Sequence, residues 1–243
     1  MTATSRKRQE GVTLVELLVV MIVMGIVSTL LLVVWFSLQN SYAFTVTSND
    51  QRDSARQALS RMQAEVRDAQ AAASPSTQPA LVIASPYWIE FTTTFNTAGN
   101  TVPTQAPRLV MYRLYFDRTI WRYVDSDGNG TITGVDTSQT PGSVADTPAN
   151  YSTAEETQGE GARLMLRNVT NCTAIPGNPV PLFRYMYYDQ TGALLVANSV
   201  SNATYNDRSN TAAVLIRILE DLNPNHSPQY ADLQITAQLR NQR

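Results

Sequence analysis

Residues Leu17 to Phe36 read LLVVMIVMGIVSTLLLVVWF, twenty consecutive positions without a charge. As a helix this run rises about 30 Å, the thickness of a bilayer hydrocarbon core. Ahead of it lies MTATSRKRQEG, with Arg6, Lys7 and Arg8. Basic residues on a short N-terminal flank hold that flank in the cytoplasm, so the long remainder is expected outside. A cleaved secretory signal needs a shorter apolar core that ends at a small-residue site. Here the run continues into Val33-Val34-Trp35-Phe36. A plain signal anchor fits the length and the flank, but it leaves Glu16, at the edge of the run, without a reason. An acid at such a place costs a few kcal/mol unless it is neutralised, and it is read as functional by default.

Gly11-Val12-Thr13-Leu14-Val15-Glu16-Leu17-Leu18 resembles the class III signal of type IV prepilins and pseudopilins. The resemblance implies that a prepilin peptidase cuts between Gly11 and Val12. It also implies N-methylation of Val12 and makes Glu16 the fifth mature residue. The family commonly has Phe where this chain has Val12. In that family Glu16 would pair, during assembly, with the freed N-terminal amine of a neighbouring subunit. The implied partners are other pilin or pseudopilin subunits, the peptidase, an inner-membrane assembly platform and membrane lipid.

Beyond Phe36 the sequence turns polar but keeps helical spacing. Ala55, Leu59, Met62, Val66, Ala69 and Ala73 form one apolar stripe at intervals of three and four. Arg52, Asp53, Arg56, Arg61, Glu65, Arg67 and Asp68 fall mostly off it and read as a solvated face. Ser74-Pro75 is the expected stop. A single helix from Val12 to Ala73 would be about 93 Å long. From about Ala80 the pattern is β: runs rich in Val, Ile, Tyr, Phe and Thr, separated by Gly, Pro, Asn and Asp. Nine strands are expected: 81–84, 87–95, 108–116, 119–124, 162–169, 182–188, 193–197, 213–220 and 229–239. Tyr188 to Ala193 reads as a hairpin turn, and residues 137–161 as a long mobile loop.

The expected organisation is therefore a leader 1–11, a membrane or filament-core helix 12–38, an amphipathic extension 39–74, and an extracytoplasmic β-rich domain 75–243. The fold class is α+β, with a long N-terminal helix packed on an antiparallel sheet, as in pilins. Leu166 to Thr170, Phe183 to Gly192 and Ala213 to Leu219 resemble the larger minor pilins, the PilW-like pilins and the J-type minor pseudopilins of type II secretion. Many pilins staple their C-terminal region with a disulfide. The single cysteine here, Cys172, allows none. Many major pilins carry a Pro in the membrane helix, and this chain has none there. Both departures favour a minor subunit.

Composition narrows the alternatives. A net charge of -2 from 18 basic and 20 acidic residues gives no field for a nucleic-acid partner. The alternating aromatics Phe183, Tyr185 and Tyr187 read as sheet core or sheet surface. Stacking on bases is the sharper reading, but no basic cluster accompanies them. The single histidine, His226, leaves no ready triad or His-based metal site. Asp125 to Asp136 matches a twelve-residue calcium loop. Its donors would be Asp125, Asp127, Asn129, Thr131, Thr133 and Asp136, with Gly130 at the turn. Asp136 stands where Glu would give bidentate coordination, and the preceding strand pattern fits a plain hairpin turn as well. The sequence thus points to a non-enzymatic, membrane-inserted filament subunit, at the initiating end or tip. The alternatives are a membrane-anchored, calcium-stabilised adhesin that never enters a filament, and a tethered hydrolase.

Overall fold

The computed structural model describes residues 13–70, 80–94, 107–115, 117–133, 135, 161–171, 180–189, 191–198, 210–222 and 230–239. One helix, α1, runs Leu14–Arg67. Among the described residues nine strands follow: β1 Leu81–Ala84, β2 Trp88–Thr93, β3 Arg108–Leu114, β4 Ile120–Val124, β5 Arg163–Leu166, β6 Phe183–Tyr188, β7 Leu194–Ala197, β8 Thr211–Asp221 and β9 Tyr230–Gln238. Each falls on a run expected from the sequence. The α+β class, a long helix with antiparallel strands, is as expected, but the strands form two sheets where one was expected. The first is a meander in the order β1-β2-β3-β4-β5, and the second has the order β7-β6-β8-β9.

The chain divides into two compact units, residues 1–47 and 48–243. In the first, the side chains of α1 from Leu14 to Phe36 are all exposed. In the second, the remaining turns of α1 are covered on one face. The boundary falls within α1. The amphipathic turns belong to the sheet unit because their stripe is part of its core. Ala55, Leu59, Met62 and Val66 are buried, with Ala58 beside them. They meet Leu81, Ile89, Phe91, Val110, Tyr112 and Leu114 from the first sheet and Phe183, Val214, Ile216 and Ile218 from the second. Each large apolar side chain buried this way contributes roughly 1.5–3 kcal/mol.

The helix ends at Arg67, before the expected stop at Ser74-Pro75. Ala69, placed on the helical stripe from sequence, forms a β-bridge with Thr93 instead. Gln70 N–H donates to Thr92 O (2.9 Å). The Thr94 hydroxyl donates to the Asp68 carboxylate (3.0 Å). The end of β2 thus offers strand partners to the backbone that the next helical turn would have used. Ala69 is nevertheless buried, so the stripe reading located the contact and missed its backbone form.

The outer face of the first sheet is also covered. Trp88, Leu109, Met111, Tyr115 and Tyr123 form a second core with Ile132 and Val135, which reach back from the loop after β4. Coverage of both faces is why every residue of β2 is buried. The returning chain passes close to β4 at Gly161. Its φ is +59°, and a Cβ there would lie 2.7 Å from the Val124 carbonyl oxygen, so only glycine fits. The two sheets are joined through β8. Its first half pairs with β6. Its second half bonds the segment after β5, with Thr170 N–H to Leu219 O at 2.7 Å and Asp221 N–H to Asn168 O at 2.9 Å. Asn171 seals this seam: its amide donates to Arg217 O (2.7 Å) and its carbonyl oxygen accepts from Leu219 N–H (2.8 Å).

Candidate functional site

Gly11 and Val12, the expected processing pair, lie outside the described residues, as does Asp136. The structure begins at Thr13, whose position relative to Glu16 the sequence reading did not use. Thr13 caps α1. Its N–H and its hydroxyl both donate to Glu16 Oε2, each at 3.0 Å, and Glu16 N–H donates back to Thr13 Oγ1 at 3.3 Å. This is a capping box: two helix-end donors are satisfied reciprocally by a Thr and an acid three residues on. The signal was present as Thr13-Leu14-Val15-Glu16. The acid also sits in the first turn, where the helix dipole favours a negative charge. Glu16 thus has a hydrogen-bond partner within its own helix end.

Behind this cap α1 is long and apolar enough to cross a membrane, and none of its apolar window is buried within the molecule. Leu17, Ile22, Leu31 and Trp35 are all more than half exposed. Bare apolar surface on this scale marks an interaction with lipid or with other apolar helices. The membrane-spanning reading of 17–36 and the exposure of that segment therefore agree.

At the other end of α1 the solvated-face reading is corrected at Glu65. Glu65 is fully buried. Its Oε2 accepts from Arg122 Nε (2.9 Å) and from the Tyr112 hydroxyl (2.7 Å), and its Oε1 accepts from Arg61 Nε (3.0 Å). Arg122 and Tyr112 are themselves buried on β4 and β3. Burial, and then the Glu65 carboxylate, push the Tyr112 hydroxyl well above its ordinary pKa, so it stays a donor. The clue in the sequence was spacing: Glu65 follows Met62 by three and Leu59 by six, so it flanks the stripe.

In the 125–136 loop, Asp125 is buried at the end of β4 and accepts from Gly128 N–H (2.7 Å) and Gly130 N–H (2.8 Å). Asp127 accepts from Asn129 N–H (3.0 Å), and Asn129 Oδ1 accepts from Thr131 N–H (2.8 Å). Gly128 and Gly130 have φ of 76° and 82°, which close the turn. Among the described residues no group of three or more His, Cys, Asp or Glu side chains is placed to hold a metal. Of the two places expected for the aromatic row, sheet core or sheet surface, the structure gives the core. Phe183 and Tyr185 are fully buried, and Tyr187 packs against the same core. The Tyr185 hydroxyl donates to Ser85 O (2.8 Å), which ties β6 to the first sheet.

Residues 6–32 match the family model described as the prokaryotic N-terminal methylation motif. No curated protein and no solved structure matches the chain. The match covers the basic flank, Gly11, Val12, Glu16 and most of the apolar run. It marks a type IV prepilin-like signal and a substrate of the processing machinery. With the exposed apolar helix behind it, it fits membrane anchoring.

Proposed function

We propose that the chain is a minor type IV pilin or pseudopilin that joins a filament through the first half of α1. The observation that carries this reading is a methylation motif at 6–32 continuous with an apolar helix whose described side chains are exposed. Prepilin peptidase would cut between Gly11 and Val12 and the new N-terminus would be methylated. Before that the chain would sit in the inner membrane as a single pass, N-terminus inside. On assembly the apolar turns would leave lipid for a bundle of like helices. Glu16 would then exchange its Thr13 cap for a neighbour's N-terminal amine, and each charge would offset the desolvation cost of the other. No step calls for a catalytic residue. The loop of Asp125, Asp127, Asn129, Thr131, Thr133 and Asp136 is proposed as a weak calcium site outside the cell. Its oxygen donors suit a hard cation, and each Asp125 oxygen has a lone pair left after its one backbone bond.

The test pairs two variants. Gly11→Leu is expected to block cleavage, leaving the chain eleven residues longer in cells with a prepilin peptidase. Glu16→Leu is expected to insert and be cleaved but to lose capture of partner subunits. Normal capture by Glu16→Leu contradicts the assembly role. An uncleaved wild-type chain favours the anchored adhesin.

A further inference from the structure

Among the described residues the second sheet ends at β7, and the outer side of that strand carries a pattern the filament reading does not use. Asp189 N–H donates to Ala193 O (3.0 Å), whereas Tyr188 N–H turns the other way, to Asn210 O (3.2 Å) beside β8. Tyr187 stands opposite Leu195, and Tyr188 opposite Leu194. In an antiparallel ladder this alternation turns the Leu195 backbone groups toward β6 and those of Leu194 and Val196 outward. Two N–H and two C=O groups therefore face away from the sheet, with no partner among the described residues. Leu194, Leu195 and Val196 are 53, 41 and 46% exposed, so apolar surface is bare on both faces of the strand. Edge strands are ordinarily guarded by charge or proline. From Thr191 to Asn198 this chain has neither.

We propose that β7 is a self-docking edge that pairs antiparallel with β7 of a second copy of this chain, about a two-fold axis at Leu195. The outward backbone groups lie symmetrically on either side of that residue. In this register Leu194 stands opposite Val196 of the second copy, and each such pair exchanges two hydrogen bonds, so all the outward groups are satisfied. Leu194 then packs on Val196 across one face, and Leu195 on its own copy across the other. An uncharged apolar edge is complementary to itself, whereas a charged partner strand would set its charges against these side chains. The contact spans four residues a side, well under the ~800 Å² per partner of a standard interface. It therefore needs a high local concentration, which tethering both copies in one membrane supplies. Only this strength rests on the membrane reading; the register does not.

Disulfide trapping in the full-length, membrane-embedded chain tests the register, in a Cys172→Ser background. Leu195 would face itself as a non-hydrogen-bonded pair, with Cα atoms about 4.5 Å apart and within disulfide reach. Leu195→Cys is expected to give at least ~10-fold more covalent dimer than Leu194→Cys or Val196→Cys alone, whose own copies would lie beyond the ~7 Å limit. Mixing the Leu194→Cys and Val196→Cys chains should restore the dimer. Adding Leu194→Lys and Val196→Lys to Leu195→Cys should abolish it without changing the thermal melt. Equal trapping at all three positions means random collision and overturns the proposal. So does a Leu195→Cys chain that forms no dimer, whether its new thiol reacts with maleimide or is shielded by another partner or by the chain's own residues 199–209.

Discussion

Leu31 and Leu59 lie on the same helix, yet Leu31 is 65% exposed and Leu59 5%. Around Leu31 the helix is apolar on every side and its side chains are exposed. Around Leu59 it is polar on one side and sealed on the other by both sheets. An α-helix satisfies its own backbone, so it can stand in lipid or in water, and the side chains decide which. The first half of α1 leaves its burial to lipid or to other chains. The second half completes its burial within the molecule and even takes in the charge of Glu65.

The largest effect that would sharpen this contrast is expected at Glu65. In the fragment from Ser48 onward, Glu65→Gln leaves the buried Arg122 without a counter-charge. A loss of about 3–5 kcal/mol is expected from urea unfolding. The triple change Glu65→Leu, Arg122→Met, Tyr112→Phe should recover most of it, because no polar group is then stranded. A Glu65→Gln fragment as stable as the parent would mean the solvated-face reading was right.

The contrast itself can be broken with two identical substitutions. Leu59→Ala should cost about 3 kcal/mol through lost burial and a cavity. Leu31→Ala in the full chain should leave unfolding of the sheet unit unchanged. Equal effects would show that the two halves are not governed separately.

A somewhat smaller effect should follow pH. Burial raises the carboxyls of Glu90 and Glu220 to about 7. Unfolded, each would titrate near 4.3. Between those values the folded unit binds more protons than the unfolded chain, so stability falls as pH rises. The contribution is fully present below about pH 4 and lost as pH passes through 7. Denaturant melts between pH 5 and 8 should show this slope, and Glu90→Gln with Glu220→Gln should flatten it.

Calcium should act least. A site with a dissociation constant of roughly 10⁻⁴ to 10⁻³ M, at about ten times that concentration, adds ~1.4 kcal/mol. That is a few degrees in the melting temperature of the sheet unit. Millimolar calcium should raise it above the values in magnesium or chelator, and Asp125→Ala with Asp127→Ala should abolish the difference. Equal melts in all three buffers would leave the loop as a turn.

Much of this was legible in the sequence where one periodicity ruled one stretch. The apolar run, the stripe at Ala55, Leu59, Met62 and Val66, and all nine strands followed from spacing and composition. What escaped depended on contacts distant in sequence. Ala69 left the helix because β2 offered it a bridge partner twenty-four residues on. Glu65 was buried because Arg122 and Tyr112, on strands far along the chain, meet it there. The split into two sheets depended on β8 being long enough to pair with both β6 and the segment after β5. Thr13 could have been read as the cap, since the Thr-x-x-Glu spacing is local.

The central claim is that the first half of α1 becomes the mature N-terminus of a filament subunit. Mass analysis of the N-terminal peptide, from chain purified out of membranes of cells that contain a prepilin peptidase, tests it most directly. The account predicts a chain that begins at Val12 and carries an N-methyl group, with residues 1–11 removed. A chain still beginning at Met1 or Thr2 in those cells would contradict it.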